Sequence, residues 1–189
     1  NDLEASAWGI PEVPPRRTAS LTPRLPVREG NGALIAAGTG LGTALRYWDG
    51  RRHRPMAGEG GHAGFAPRDD QEVELMRFFE RKHGRASLDR IVSGPGLRSI
   101  YDFLVESGRA KATPGLARLM TEVDPSAAIS EAGLRASDPA AVRALDLFVS
   151  IYGSAAGDLA LVAGASGGVW IGGDIAPKIL PKLREGGFL

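Results

Sequence analysis

The longest pattern in this sequence opens at Asp138-Pro139 and runs through Val142, Leu145, Phe148, Tyr152, Ala155, Leu159 and Val162, apolar positions that repeat at helical spacing. Aspartate accepts the unpaired N–H groups of a first helical turn, and proline suits the first helical position because an N–H there has no partner anyway. A helix of this length with one apolar face needs a second layer to cover it. The small residues Gly153, Ser154, Ala155, Ala156 and Gly157 would let a neighbour lie close. The layer comes from elsewhere in the chain. Ala33 to Ala37 is a short apolar run that suits a buried strand, and Thr43 to Trp48 suits the next. Asp49-Gly50 is a two-residue hairpin signal leading into Arg51 to Met56, which completes a β-meander. Gly167-Gly168-Val169-Trp170-Ile171 predicts a further buried strand, with Gly172-Gly173 as its exit turn. The fold class expected is α/β.

Around this frame the sequence predicts shorter helices. Residues 1–9 form one that stops at Ile10-Pro11, since the residue before a proline is pushed out of the helical region. Prolines 11, 14, 15, 23 and 26 make residues 11–26 an irregular connection. Asp69 or Asp70 caps a helix carrying Val73, Met76 and Phe79 and ending at Gly84. Ser93-Gly94-Pro95-Gly96 introduces another, with Leu97, Ile100, Tyr101 and Leu104 on one face and Gly108 beyond its end. Asp124-Pro125 opens one more.

Composition removes several function classes. Lys plus Arg is 23 and Asp plus Glu is 22, so the chain has no general affinity for polyanions, and neither nucleic acid nor a membrane is expected as a partner. The basic run Arg51-Arg52-His53-Arg54 is expected to be a solvated hairpin strand. The absence of cysteine excludes disulfide scaffolds, zinc knuckles and thiol nucleophiles. No stretch reads as long and apolar enough to cross a bilayer, and the start is not a signal peptide, so the cytoplasm is the expected location. The first residue is Asn1, already inside a helical pattern, which predicts a piece of a longer chain.

Glycine-rich turns after apolar strands are where chemistry is expected. Backbone N–H groups in such turns can approach phosphate closely, because no side chain stands between. Gly38-Thr39-Gly40-Leu41-Gly42 is neither a P-loop nor a dinucleotide fingerprint, and a tight strand connection would also account for it. Gly58-Glu59-Gly60-Gly61-His62 holds a carboxylate and an imidazole three residues apart in a segment that glycine keeps from being a regular helix. Such a pair can accept from and donate to the hydroxyls of a sugar. A metal site and a purely structural pair are the alternatives, but His53 and His83 do not stand at ligand-like spacing to it. Asn1-Asp2, at the front of a helix, is by its residue types a cap.

Taken in order, these segments resemble the bacterial glucokinase family: Asn1-Asp2, Ala37 to Gly42, Gly58 to Pro67, Ser93-Gly94-Pro95-Gly96-Leu97, Gly167 to Gly173 and Ile175-Ala176-Pro177-Lys178. The resemblance spans nearly the whole chain. It implies a ribonuclease H-like domain of the actin/hexokinase superfamily, mainly the larger domain of a two-domain kinase. Residues 1–12 would be the hinge helix with the catalytic aspartate, and residues 13–189 the large α/β domain, incomplete at its C-terminal side. The implied reaction is transfer of the ATP γ-phosphoryl, with Mg, to the 6-hydroxyl of glucose. Asp2 would be the base and Asn1 a sugar ligand, with Glu59, His62 and Asp89 on the sugar hydroxyls. Gly38, Thr39 and Gly40 would bind ATP phosphates, and Gly172 and Gly173 would lie near the adenosine. No residue of this chain is implied as a metal ligand, and a homodimer is the association the resemblance leaves open.

Two positions depart from the family. Asp89 stands where the family usually has a glutamate, which leaves a kinase for another hexose open, and Asp174 stands where a third glycine is usual, which leaves a non-catalytic sugar binder open. The family's N-terminal Asp-x-Gly-Gly-Thr-type phosphate turn does not occur in these residues. The 189-residue chain alone is therefore expected to turn over no substrate. The cysteine-rich zinc motif of the related repressor-and-sugar-kinase family does not occur either.

Overall fold

The computed structural model describes residues 2–22 and 29–189. The chain opens with helix α1 (Asp2–Gly9), followed by two single 3-10 turns at Ile10–Glu12 and Pro15–Arg17. Strands β1 (Gly32–Ala37), β2 (Leu41–Trp48) and β3 (His53–Gly58) form the expected antiparallel meander. The hairpin between β2 and β3 corrects the sequence expectation. Trp48 pairs with His53, so the loop is the four residues 49–52 rather than Asp49-Gly50 alone. The Asp49 side chain closes it, its Oδ1 accepting from the N–H groups of Arg51 and Arg52 at 2.9 Å each. Arg51 and Arg52 are thereby exposed turn residues, and the strand starts at His53.

Helices α2 (Asp70–His83), α3 (Leu88–Ile91), α4 (Gly94–Glu106), α5 (Pro114–Leu119), α6 (Pro125–Leu134) and α7 (Pro139–Ala163) follow. Four of them, α2, α4, α6 and α7, carry the expected caps: Asp69 accepts from Glu72 N–H, Ser93 from Gly96, Asp124 from Ala127 and Asp138 from Ala141, whereas α3 and α5 were not expected from sequence. The inner face of α2 differs from the expected one. Leu75, Phe79 and Glu72 are buried, while Val73 and Met76 are only half-buried. Arg68 folds over the Glu72 carboxylate in an ion pair, so the buried acid is satisfied and can occupy the inner face.

Strand β4 (Val169–Gly172) joins the sheet beside β1 and parallel to it, giving the order β3-β2-β1-β4. At the sheet edge it is half-buried along its length, not fully buried as its apolar sequence suggests. Short helices α8 (Ile175–Lys178) and α9 (Leu180–Leu183) follow.

The sheet alternates, as a period of two requires. Leu34 and Ala44 point to one face and are covered by Ala7 and Ile10, with Leu3 and Trp170 at the rim. Ile35, Ala37 and Leu41 point to the other, into the main core with Leu97, Ile100 and Leu104 of α4 and Leu145, Phe148 and Tyr152 of α7. The stripe on α7 ends earlier than its periodicity: Leu159 is half-buried, and Leu161 and Val162 are exposed. Twenty-five helical residues reach about 37 Å. A six-residue strand reaches only about 20 Å, so the last turns overhang the sheet. Of the small residues on α7, Gly153 admits the backbone of Phe188, whereas a Cβ at Gly157 would point into open space. By length and composition α7 is also able to cross a membrane, against the expectation that no stretch would be. Half of that stretch is buried inside the protein, as in a core helix.

Candidate active site

β1 and β4 are parallel, with Ala36 opposite Gly172, so their carboxyl ends lie side by side. In open α/β sheets that is where ligands bind. Each end carries a glycine turn. After β1, Gly38 N–H donates to Gly40 O at 2.8 Å, and Gly38 O accepts from Gly94 N–H, at the first turn of α4, at 2.9 Å. Thr39 is exposed at the tip. After β4, Gly173 takes a φ of +84° and passes so near β1 that a Cβ there would lie 2.3 Å from Ala37 O. Only glycine fits that position. Asp174 follows with φ −82°, an ordinary helical value, and its carboxylate is exposed. The missing third glycine is therefore no backbone requirement here.

Tyr152 of α7 holds the end of β1 from below. Its hydroxyl accepts Ala37 N–H at 3.3 Å and lies 3.5 Å from Ile35 O. Burial pushes this phenol well above the usual tyrosine range, so it stays a neutral hydroxyl. By sequence Tyr152 was one more apolar position. The available signal was a phenol on an otherwise aliphatic stripe, since a buried tyrosine hydroxyl needs a partner.

Glu59 precedes a 3-10 turn at Gly60–His62 and His62 ends it; both are exposed, with Oε2 and Nε2 3.8 Å apart. The turn is fastened to β2. Gly60 N–H donates to Thr43 Oγ1 at 3.0 Å, and a Cβ on Gly61 would lie 1.9 Å from Leu41 O. Leu88 N–H donates to Ala63 O at 3.0 Å, which ties the segment to α3. On α3, Asp89 turns back toward the sheet, and its Oδ1 accepts Leu41 N–H at 2.8 Å. Thr43 and the Leu41 backbone, which organise this corner, carry no signal in the sequence.

Asp2 is exposed in the first turn of α1, and the neighbouring Leu3 side chain rests against Gly42. Asn1 lies outside the described residues. The Glu59–His62 segment and Asp89 are thus fastened to Leu41 and Thr43 at the start of β2, directly after the Gly38–Gly40 turn, and Leu3, next to Asp2, touches Gly42 between them; Gly172 lies across β1, opposite Ala36. Among the described residues no three His, Cys, Asp or Glu side chains group as a metal site. The arrangement offers backbone donors at two adjacent glycine turns and, beside them, three carboxylates and an imidazole suited to hydroxyl groups.

Two glycine turns at the carboxyl ends of adjacent parallel strands, next to a corner with carboxylates, define an α/β chain with a ligand-binding type of sheet edge. The glucokinase family model matches residues 1–189, and the chain belongs to that family. It is 38% identical to a glucokinase of Nostoc sp. over 202 residues, covering 100% of this chain and 59% of the relative. It is 39% identical to a glucokinase of Caulobacter sp. over 191 residues, covering 100% of this chain and 54% of the relative. The structure superposes on a glucokinase from an Antarctic psychrotroph with a TM-score of 0.85 at 29% identity, over 100% of this chain and 56% of the other. The chain therefore spans somewhat more than half the length of the relatives it matches.

Proposed function

We propose that the protein carrying this chain phosphorylates glucose at the 6-hydroxyl, with ATP as the phosphoryl donor and Mg as cofactor, and that these residues supply the sugar-binding corner and part of the nucleotide site. The observation that carries the proposal is the attachment of Asp89 and of the Glu59–His62 segment to Leu41 and Thr43, the residues of β2 that directly follow the Gly38–Gly40 turn. In phosphoryl transfer the protein has little covalent work to do. It positions the hydroxyl, spreads charge and receives one proton.

In this reading Glu59, His62 and Asp89, with Asn1, hold the sugar hydroxyls. Gly38, whose N–H closes the turn on Gly40 O, sets the amides of Thr39 and Gly40 toward the phosphates, and Gly172-Gly173 lies near the adenosine. Asp2 takes the proton from the 6-hydroxyl as its oxygen bonds to the γ-phosphorus and the bond to the ADP oxygen breaks. Mg would enter with the phosphates and neutralise their charge. Residues 1–12 act as the hinge helix and residues 13–189 as the larger domain of a two-domain enzyme.

The test is coupled measurement of ADP release by the full-length protein with glucose, mannose, fructose, galactose and N-acetylglucosamine. Turnover with glucose highest in kcat/KM supports the proposal. Preference for another hexose overturns the substrate, and absence of turnover with bound sugar overturns the enzyme.

A further inference from the structure

Arg46 is a buried charged residue that the fold and the proposed reaction leave unexplained. It lies on the α1 side of the sheet, two residues beyond Ala44, between Gly32 on β1 and Pro55 on β3. Neither neighbour has a long side chain, so the arginine stem fits between them and only 5% of the residue is exposed. Its Nε is buried without a hydrogen-bond partner, and the guanidinium makes no ion pair among the described residues. A buried charge is normally paired, because removing it from water otherwise costs several kcal/mol. Desolvation already pulls the Arg46 pKa below the usual arginine value, yet arginine stays charged in proteins.

The side chain lines a pocket of about 350 Å³ between the C-terminal end of α1, the turn after it and the β2–β3 hairpin. That volume falls in the range of small-ligand sites. Arg52 adds donors to the wall, and Trp8 and Trp48 supply ring surfaces. Trp48 is braced by His53 at 4.9 Å between centroids, and His53 Nε2 lies 3.0 Å from Gly30 O. Among the described residues Glu12 is the only acid on the wall. It is exposed and makes no ion pair with Arg46. The pocket lies on the sheet face opposite the main core, toward the hairpin end of β2 and away from residues 40–43.

We propose that this pocket binds a small organic anion, a carboxylate or phosphate monoester on a ring or apolar body, with the charged group on the Arg46 guanidinium and the body against Trp8 and Trp48. The planar fork of arginine suits both anions.

The experiment is calorimetric titration of the full-length protein with phenyl phosphate, benzoate and inorganic phosphate, in saturating glucose and ADP so that the glycine turns are occupied. Phenyl phosphate or benzoate should bind, with affinity at least tenfold lower in R46M and intermediate in R46K, which keeps the charge without the fork. W8A should weaken the ring probes more than inorganic phosphate. A preference for phenyl phosphate over benzoate, or the reverse, identifies which anion the site takes. In the absence of probe, R46M should be at least as stable as wild type. No binding of any probe overturns the proposal, as does equal binding by R46M. Binding seen only in E12Q also overturns it, because the protein's own carboxylate would then fill the site.

Discussion

Asp89 and Leu41 join the two halves of the proposed site: the carboxylate on α3 accepts the N–H of the residue that follows the Gly38–Gly40 turn, at 2.8 Å. A side chain expected on the sugar thereby also sets the start of β2. In the full-length protein Asp89→Ala should weaken glucose and ATP together, each by about tenfold, because a charged hydrogen bond of about 1.5–3 kcal/mol is lost at their shared anchor. Asp89→Asn keeps an acceptor oxygen and should spare ATP more than glucose. Calorimetry with each ligand separates the cases. An effect of Asp89→Ala on glucose alone would mean that the bond to Leu41 does not hold the nucleotide turn.

The two glycines after β4 should respond differently to the same change. At Gly173 a methyl group would meet Ala37 O at 2.3 Å with φ at +84°. Left-handed backbone alone costs about 1–2 kcal/mol for other residues. Gly173→Ala should therefore lose at least about 2 kcal/mol in denaturant unfolding and weaken ATP as the turn moves. At Gly172 the nearest atom would be Leu34 Cδ1 at 3.4 Å, an ordinary contact. Gly172→Ala should stay within about 1 kcal/mol of wild type. Equal losses would remove the close-approach argument.

Asp138 should be among the most sensitive residues for stability. It is fully buried, accepts Ala141 N–H at 2.8 Å as the cap of α7, and accepts Thr113 N–H and Oγ1–H at 2.7 and 2.8 Å. Asp138→Ala removes the cap, worth about 0.5–2 kcal/mol, and strands the Thr113 donors at about 1–3 kcal/mol. A loss of about 3 kcal/mol in equilibrium unfolding is expected. A loss below 1 kcal/mol would show that water replaces the carboxylate.

The hairpin loop should report pH. The Arg54 side chain, then the N–H groups of Arg52 and Arg51, hold the Asp49 carboxyl down to about 2. A depressed folded pKa means that the contribution is fully present above the ordinary carboxylate range and is lost as pH falls through about 2. Carboxyl-carbon NMR should give a midpoint near 2, moving toward 3.8 in Arg54→Met. An ordinary midpoint in the wild type would show that the loop is open in solution.

Much of the frame was legible because its signals are local. Asp69, Ser93, Asp124 and Asp138 announced their helices, and Gly84 and Gly108 ended two of them in positive φ. What escaped depends on partners distant in sequence. Glu72 is buried because Arg68 covers it, and Tyr152 serves β1 from 115 residues away. Asp49 spread a two-residue turn signal over four residues, because its side chain, not the backbone alone, makes the bonds. The candidate site was named through glycines, Glu59, His62 and Asp2, whereas its common anchor at Leu41 to Thr43 is made of main chain and one hydroxyl. Such atoms leave no mark in residue type.

The role of Asp2 is the claim on which the proposed reaction turns, and it rests on a side chain exposed at the front of α1, beside the Leu3–Gly42 contact. General base catalysis contributes about 10²–10⁴-fold. The most direct measurement is steady-state ADP release by full-length Asp2→Ala and Asp2→Asn, with glucose affinity determined alongside by calorimetry. The account predicts that kcat falls at least about a hundredfold in both while glucose affinity stays within about tenfold, because the base acts in the transition state rather than on bound sugar. Turnover within a few-fold of wild type in either variant would contradict it.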